Sequence, residues 1–205
     1  MSNVVIVDYG MCNLDSIARA VEECGGRPTV SDQPRELATA TQIILPGVGA
    51  FPDAMNNLVE RGFHTALEEQ VVGNGIPFLG ICLGMHMMAR AGNEGQRTEG
   101  LGWIDGEVVR LEPQGEDTRI PHIGWNEINL EYESPLFDGI APDRDYYFVH
   151  SYHIRCDDEE QVVARTAYAG GFVSAVARDH IFGVQFHPEK SQKVGFQVLR
   201  NFLNY

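Results

Sequence analysis

The stretch Ile76-Pro77-Phe78-Leu79-Gly80-Ile81-Cys82-Leu83-Gly84-Met85 decides how this chain is read. Residues 76–81 form a short apolar run with the length of a strand, and residues 83–91 read as a helix. Between them stands the pattern small-x-Cys-x-small, a turn so tight that the flanking side chains must nearly vanish. A cysteine there points out of the sheet edge, its sulfur near the amino end of the following helix. Backbone N–H groups and the helix dipole then favour thiolate over thiol. The N–H of Leu83 is placed to donate to an oxyanion. Taken alone, a cysteine after a strand is more often a buried and inert thiol, so the reading needs company.

Working outward, the N-terminal half alternates strand and helix. Val4-Val5-Ile6-Val7 is a β-branched run of the kind buried on both faces of a parallel sheet. A helix is expected over residues 13–23, with Leu14, Ile17, Ala18 and Val21 at helical spacing and Gly25-Gly26 ending it. Thr29-Val30 and Ile43-Ile44-Leu45 supply further strands, and helices follow over residues 52–60 and 63–72. The second half is richer in strands, at residues 107–111, 120–123, 146–149, 162–167, 173–177 and 181–186, before a final helix over 191–203. The expected fold is α/β: an open, mainly parallel, flavodoxin-like sheet with helices on both faces, plus an added antiparallel section. In such sheets ligands bind outside the carboxyl ends of the strands. The loops that begin at Tyr9, Pro46 and Cys82 all fall there.

The chain has 205 residues, 43% hydrophobic and 21% charged, with no linker or repeat, so one domain over 1–205 is expected. A net charge of −14 repels a nucleic-acid backbone, which excludes nucleic acid as an expected partner. Asp157-Asp158-Glu159-Glu160 reads as a solvated turn. No positively charged leader opens the chain and no apolar run approaches the roughly 20 residues a membrane span needs. Neither membrane nor export is expected, and the location expected is the cytoplasm. The 4 cysteines are scattered without a C-x-x-C pair, a poor disulfide or zinc framework. Neither G-x-G-x-x-G nor G-x-x-x-x-G-K-[ST] occurs, and no metal and no cofactor is expected.

The company for Cys82 comes in Phe186-His187-Pro188-Glu189. Residues two apart in an extended segment share a side, so His187 and Glu189 can address one locus, with Pro188 restricting the backbone between them. A thiol nucleophile needs a base to take and return a proton, and that base needs an acceptor on its other ring nitrogen. These residues supply both.

Three blocks give the chain a family resemblance: Pro46-Gly47-Val48-Gly49-Ala50-Phe51, Gly80-Ile81-Cys82-Leu83-Gly84-Met85 and Gln185-Phe186-His187-Pro188-Glu189-Lys190-Ser191. Over essentially its whole length it resembles the class I (triad) glutamine amidotransferases. Within them it is most similar to HisH, the glutaminase branch of imidazole glycerol phosphate synthase. Asp8-Tyr9-Gly10-Met11, Pro121-His122-Ile123-Gly124-Trp125-Asn126 and Tyr147-Phe148-Val149-His150-Ser151-Tyr152 are typical of that branch. The resemblance implies L-glutamine as substrate and Cys82, His187 and Glu189 as catalytic residues acting through a γ-glutamyl thioester. It implies an oxyanion hole from Leu83 and the Gly47-Val48-Gly49 loop, which family members hold in an inactive orientation until the partner is occupied. Ser151 and Tyr152 match positions that contact the substrate α-carboxylate, and Glu94 an acidic position near its ammonium group.

The resemblance further implies a heterodimer with a (β/α)8-barrel cyclase, HisF-like, whose interior conducts ammonia. Asn13, Trp125 and Lys190 match interface positions. Gly100-Leu101-Gly102-Trp103-Ile104-Asp105-Gly106 also looks like a segment of HisH paralogues that feed sugar amidotransferases in surface-polysaccharide synthesis, an alternative destination for the ammonia. A stand-alone γ-glutamyl cysteine hydrolase is the remaining reading. Two positions depart from the family. His86 stands where Gln usually contacts substrate, and is expected either to replace that contact or to alter affinity. If charged, it would perturb the thiolate. Cys12 replaces a Gly and is expected to be a small space-filling residue. His122 and His150 are expected to be hydrogen-bonded structural histidines.

Overall fold

The computed structural model describes residues 2–115 and 119–205. In chain order its strands are β1 (Asn3–Val7), β2 (Arg27–Ser31), β3 (Gln42–Leu45), β4 (Phe78–Ile81), β5 (Ala89–Glu94), β6 (Gln96–Glu99) and β7 (Ile104–Arg110). They continue with β8 (His122–Glu127), β9 (Asn129–Leu130), β10 (Asp145–His150), β11 (Tyr152–Cys156), β12 (Val162–Thr166), β13 (Phe172–Arg178) and β14 (Ile181–Val184). The α-helices are α1 (Leu14–Glu23), α2 (Phe51–Glu60), α3 (Phe63–Leu67), α4 (Leu83–Met87) and α5 (Gln192–Leu203).

The main sheet runs β2-β1-β3-β4-β14-β13-β12-β9. Strands β2, β1, β3, β4 and β14 are parallel, and β13, β12 and β9 add the antiparallel flank. The alternation of side chains along each central strand divides the core in two. Val5, Val7, Ile43, Leu45 and Phe78 pack on one face with Leu58 of α2 and Phe63 of α3. Val4, Ile6, Ile44, Leu79 and Ile81 pack on the other with Ile17 and Val21 of α1 and Phe202 of α5. Both faces being covered explains why these strands are continuous apolar runs, every residue from Val4 to Val7 fully buried.

Four of the parallel strands, β1, β3, β4 and β14, end side by side. The register pairs Val184 with Ile81 and Leu45 with Gly80. The loops beginning at Pro46, Cys82 and Gln185 therefore leave one sheet edge together.

The helix expected over residues 83–91 is corrected. It stops at Met87, and Ala89 opens β5 in a second sheet of order β11-β7-β5-β6. Met-His-Met-Met-Ala-Arg-Ala suits a helix, but the Met88 carbonyl accepts from the N–H groups of Trp103 and Ile104, and Ala89 pairs with Ile104. Pairing with a distant strand overrides local propensity. The helix expected over 63–72 is α3 followed by a wider π-type turn, Glu68–Gly73. Strands β5, β6, β9 and β11 carry no clear signal in the sequence. Of the acidic run, Asp157, Glu159 and Glu160 are exposed and Asp158 is half-buried, with Asp157 paired to Arg90 and Glu159 to Arg165. Among the described residues no helix is long and apolar enough to cross a membrane.

Candidate active site

Cys82 follows β4 with φ 54° and ψ −108°, a backbone conformation seldom taken by a residue with a Cβ. It is held there by its N–H donating to the Val184 carbonyl at 2.8 Å and its carbonyl accepting from His86 N–H at 3.0 Å. The small flanking residues expected of such a turn are required by space. A Cβ on Gly80 would lie 2.7 Å from the Gly84 carbonyl oxygen, and one on Gly84 would lie 1.7 Å from that of Leu45. Cys82 sits at the start of α4, the residue 8% exposed.

His187 stands two residues beyond Gln185, on the extension of the strand beside β4. Its Nδ1 is 2.9 Å from Glu189 Oε1, and both side chains are buried. The single 3-10 turn Pro188–Lys190 carries Glu189 back under the imidazole. Ser191 pins this turn, its hydroxyl donating to the His187 carbonyl at 2.7 Å and accepting from Tyr147 N–H at 3.0 Å. His187 Nε2 is buried without a hydrogen bond of ordinary geometry. Burial opposes a charged imidazole, but interaction with the Cys82 sulfur and with Glu189 outweighs it and raises the His187 pKa to about 10.

A cavity of about 250 Å3 opens beside the sulfur. It is lined by Cys82, Leu83, His187, His86, Glu94, Ser151, Tyr152, Lys190, Val48 and Gly49, so most residues singled out in the sequence meet in one place. Gly47 does not line it. A Cβ there would sit 2.2 Å from the Tyr9 hydroxyl, so Gly47 lets the loop lie against that ring. Val48 N–H is not free for an oxyanion, since it donates to the Met11 carbonyl at 2.9 Å. Gly49 has φ +109°, a left-handed conformation. Glu94 reaches from β5 so that Oε2 accepts from Phe51 N–H at 2.8 Å, complementing the amino end of α2.

His86 makes a contact that the sequence does not announce. It lines the cavity, but its Nε2 lies 2.7 Å from Gln185 Oε1, and burial pushes its pKa down to about 4. It does not charge beside the sulfur near neutral pH. Gln185 belongs to the block that carries His187 and Glu189. Its signal was its place two residues before His187 in an extended segment, which puts both on one side. Cys12 fills space as expected, its thiol donating to the Pro46 carbonyl at 3.4 Å and pushed up to about 11 chiefly by burial. His122 Nδ1 and His150 Nε2 are 3.0 Å apart, and His150, whose Nδ1 is 2.8 Å from the Tyr152 carbonyl, also lines the cavity.

Trp125 is 45% exposed on β8, and its ring meets that of Tyr147 on β10 edge-on at 5.7 Å. Lys190 Nζ lies 5.9 Å from the same Tyr147 ring. Tyr147, not singled out in the sequence, thus joins the two, and its carbonyl accepts from His187 N–H at 2.9 Å. Asn13 does not join that cluster. It precedes α1 at the same sheet edge, its side-chain oxygen accepting from Ser16 Oγ.

Residues 5–204 match the family model described as glutamine amidotransferase class-I. The chain is 46% identical to the "Imidazole glycerol phosphate synthase subunit HisH 1" of Campylobacter jejuni (strain RM1221), over 98% of each chain. It is 45% identical to the "Imidazole glycerol phosphate synthase subunit HisH" of Moorella thermoacetica, covering 98% of this chain and 94% of the relative. Among solved structures it is similar to one described as a glutamine amidotransferase, with a TM-score of 0.76 at 18% identity, covering 98% of this chain and 97% of that one. PurLQS from Thermotoga maritima gives a TM-score of 0.74 at 19% identity over 100% of this chain and 99% of that one. At these identities the two structures speak for the fold.

Proposed function

The chain belongs to the class-I glutamine amidotransferase family, and on that premise we propose that it is the glutaminase subunit of an imidazole glycerol phosphate synthase, acting through Cys82. The observation that carries this reading is the cavity in which the strained Cys82 meets His187, itself bound to Glu189 at 2.9 Å.

The Cys82 sulfur attacks the side-chain amide carbon of L-glutamine, and the carbonyl oxygen becomes an oxyanion. His187 gives its proton to the nitrogen as the C–N bond breaks, so ammonia leaves and a γ-glutamyl thioester remains. His187, now neutral, takes a proton from water as that water adds to the thioester. Glutamate departs and the thiolate returns. Glu189 holds the imidazole in the tautomer that directs Nε2 at the sulfur. Ser151 and Tyr152 receive the α-carboxylate, and Glu94 takes the ammonium group.

Leu83 N–H is one oxyanion donor. The second belongs to the Gly47-Val48-Gly49 loop, whose Val48 N–H is spent on Met11. Rotation of the Gly47–Val48 peptide would release it, and one such donor is worth about 3–4 kcal/mol, or roughly 10^2–10^3 in rate. The uncomplexed chain is accordingly a slow glutaminase.

Ammonia lost to solvent is protonated and wasted, so the enzyme works docked on the protein that uses it. Ile123 and Trp125 share one face of β8 and are both exposed, flanked by Tyr147 from β10. This surface, with Lys190 and Asn13, is proposed to receive a (β/α)8-barrel cyclase subunit.

Two measurements test the reading. Cys82→Ala should abolish glutamine-dependent synthesis while the assembled enzyme still uses free ammonia at high pH. Retained glutamine turnover would remove Cys82 from the chemistry. Adding the barrel cyclase should raise glutamine hydrolysis at least a hundredfold. No response would move the ammonia to another acceptor, with a sugar amidotransferase next to be tried.

A further inference from the structure

We propose that Gln185 and His86 form a positioning pair that aims a side-chain amide N–H at the Cys82 sulfur. The proposal rests on the reading of Cys82 as nucleophile and adds a contact that the triad does not contain.

The sheet register makes the pair possible. Val184 pairs with Ile81, so the residues that follow them, Gln185 and Cys82, leave adjacent parallel strands side by side. Gln185 is fully buried. Its Nε2 donates to Cys82 Sγ at 3.7 Å, an ordinary N–H···S separation, and its Oε1 lies 2.7 Å from His86 Nε2.

A primary amide is nearly symmetric in shape, and a flip would put its oxygen against the sulfur, two acceptors face to face. His86 resolves that ambiguity in one of its two neutral tautomers. With its proton on Nε2 it can only donate to Oε1, which leaves the NH2 group turned toward Cys82. Burial keeps His86 neutral, so it performs this role without placing a cation in the cavity wall.

The consequence lies at the sulfur. Cys82 is 8% exposed, and a thiolate so withdrawn from water depends on fixed donors. Gln185 supplies one from the side of β14. The same N–H stabilises the thiolate when it is expelled at the end of the cycle. Gln185 and His86 are positioning residues, acting on substrate only through Cys82.

The test uses the full chain and iodoacetamide, with alkylation of the Cys82 peptide followed by mass spectrometry across pH. It is run with and without L-glutamine as protectant, and needs no synthase partner. Gln185→Leu and His86→Leu should each slow alkylation at pH 7 about tenfold and move the midpoint of its pH profile upward. His86→Gln keeps a donor within reach of Oε1 and should stay within about twofold of the unsubstituted chain. The glutamine concentration giving half-protection should change little in Gln185→Leu.

Should the leucine variants unfold, Gln185→Glu preserves shape and volume and places a carboxylate by the sulfur, so alkylation should slow still further. Unchanged pH profiles in these variants would overturn the proposal. So would a His86→Leu effect confined to weaker protection by glutamine, which would make His86 a substrate ligand instead. Failure of the nucleophile reading shows separately, as glutamine turnover by Cys82→Ala.

Discussion

One methyl group on Gly84 would decide whether the turn around Cys82 can close. Its Cβ would stand 1.7 Å from a main-chain oxygen of β3, which cannot swing aside as a side chain would. Gly84→Ala should cost more than about 4 kcal/mol in urea unfolding or fail to fold. Gly95→Ala, at φ +73° in open space, should cost only about 1–2 kcal/mol. The need for small residues beside Cys82 was legible in the pattern itself, because it follows from the geometry of a strand-to-helix reversal. The part played by His86 was not legible. Whether an imidazole on α4 reaches substrate or Gln185 depends on a strand about a hundred residues further on.

Glu94 shows at the level of elements how one side chain serves two of them. It stands on β5, accepts from the first N–H of α2 and lines the cavity. Glu94→Gln keeps an acceptor for α2 and removes the charge, so stability should hold while the KM for glutamine rises. Glu94→Ala should raise KM and also lower unfolding free energy by about 1 kcal/mol. The β8–β10 ribbon makes the complementary case, its outer face exposed and its β10 edge tied to His187 through the Tyr147 carbonyl. Trp125→Ala should weaken binding of the proposed barrel partner about thirtyfold, measured by titration calorimetry, with little effect on unfolding because the ring is half in solvent. The strands β1, β3 and β4 were legible because burial on both faces leaves unbroken apolar runs. Strand β5 was not, because its opening residues favour a helix and only pairing with β6 and β7 forbids one.

The whole molecule couples these parts to pH through its buried histidines. The His86 pKa lies below its ordinary value of 6.5, at about 4, so the unfolded chain binds more protons than the folded one between those limits. That contribution is complete above pH 6.5 and is lost as pH falls toward 4. Two and a half pH units correspond to about 3 kcal/mol. His150, held well below its ordinary value by burial, adds in the same direction. His187 works oppositely, since its raised pKa stabilises the fold below pH 6.5 and that contribution is lost as pH climbs through about 10. Thermal unfolding should therefore peak near neutrality, and His86→Gln should flatten the acid limb while leaving the alkaline limb in place. By itself the sequence determined the alternating α/β order, the tight turn at Cys82 and the His187-Pro188-Glu189 constellation. Each of these is written in local periodicity or in a spacing of two to four residues. Only the tertiary structure decided that β14 lies beside β4, that Gln185 faces the sulfur, that Met11 takes the Val48 N–H and that Tyr147 joins Trp125 to Lys190. Those contacts join residues far apart in the chain, and the register of a parallel sheet is fixed by packing on both its faces, which no short stretch of sequence contains.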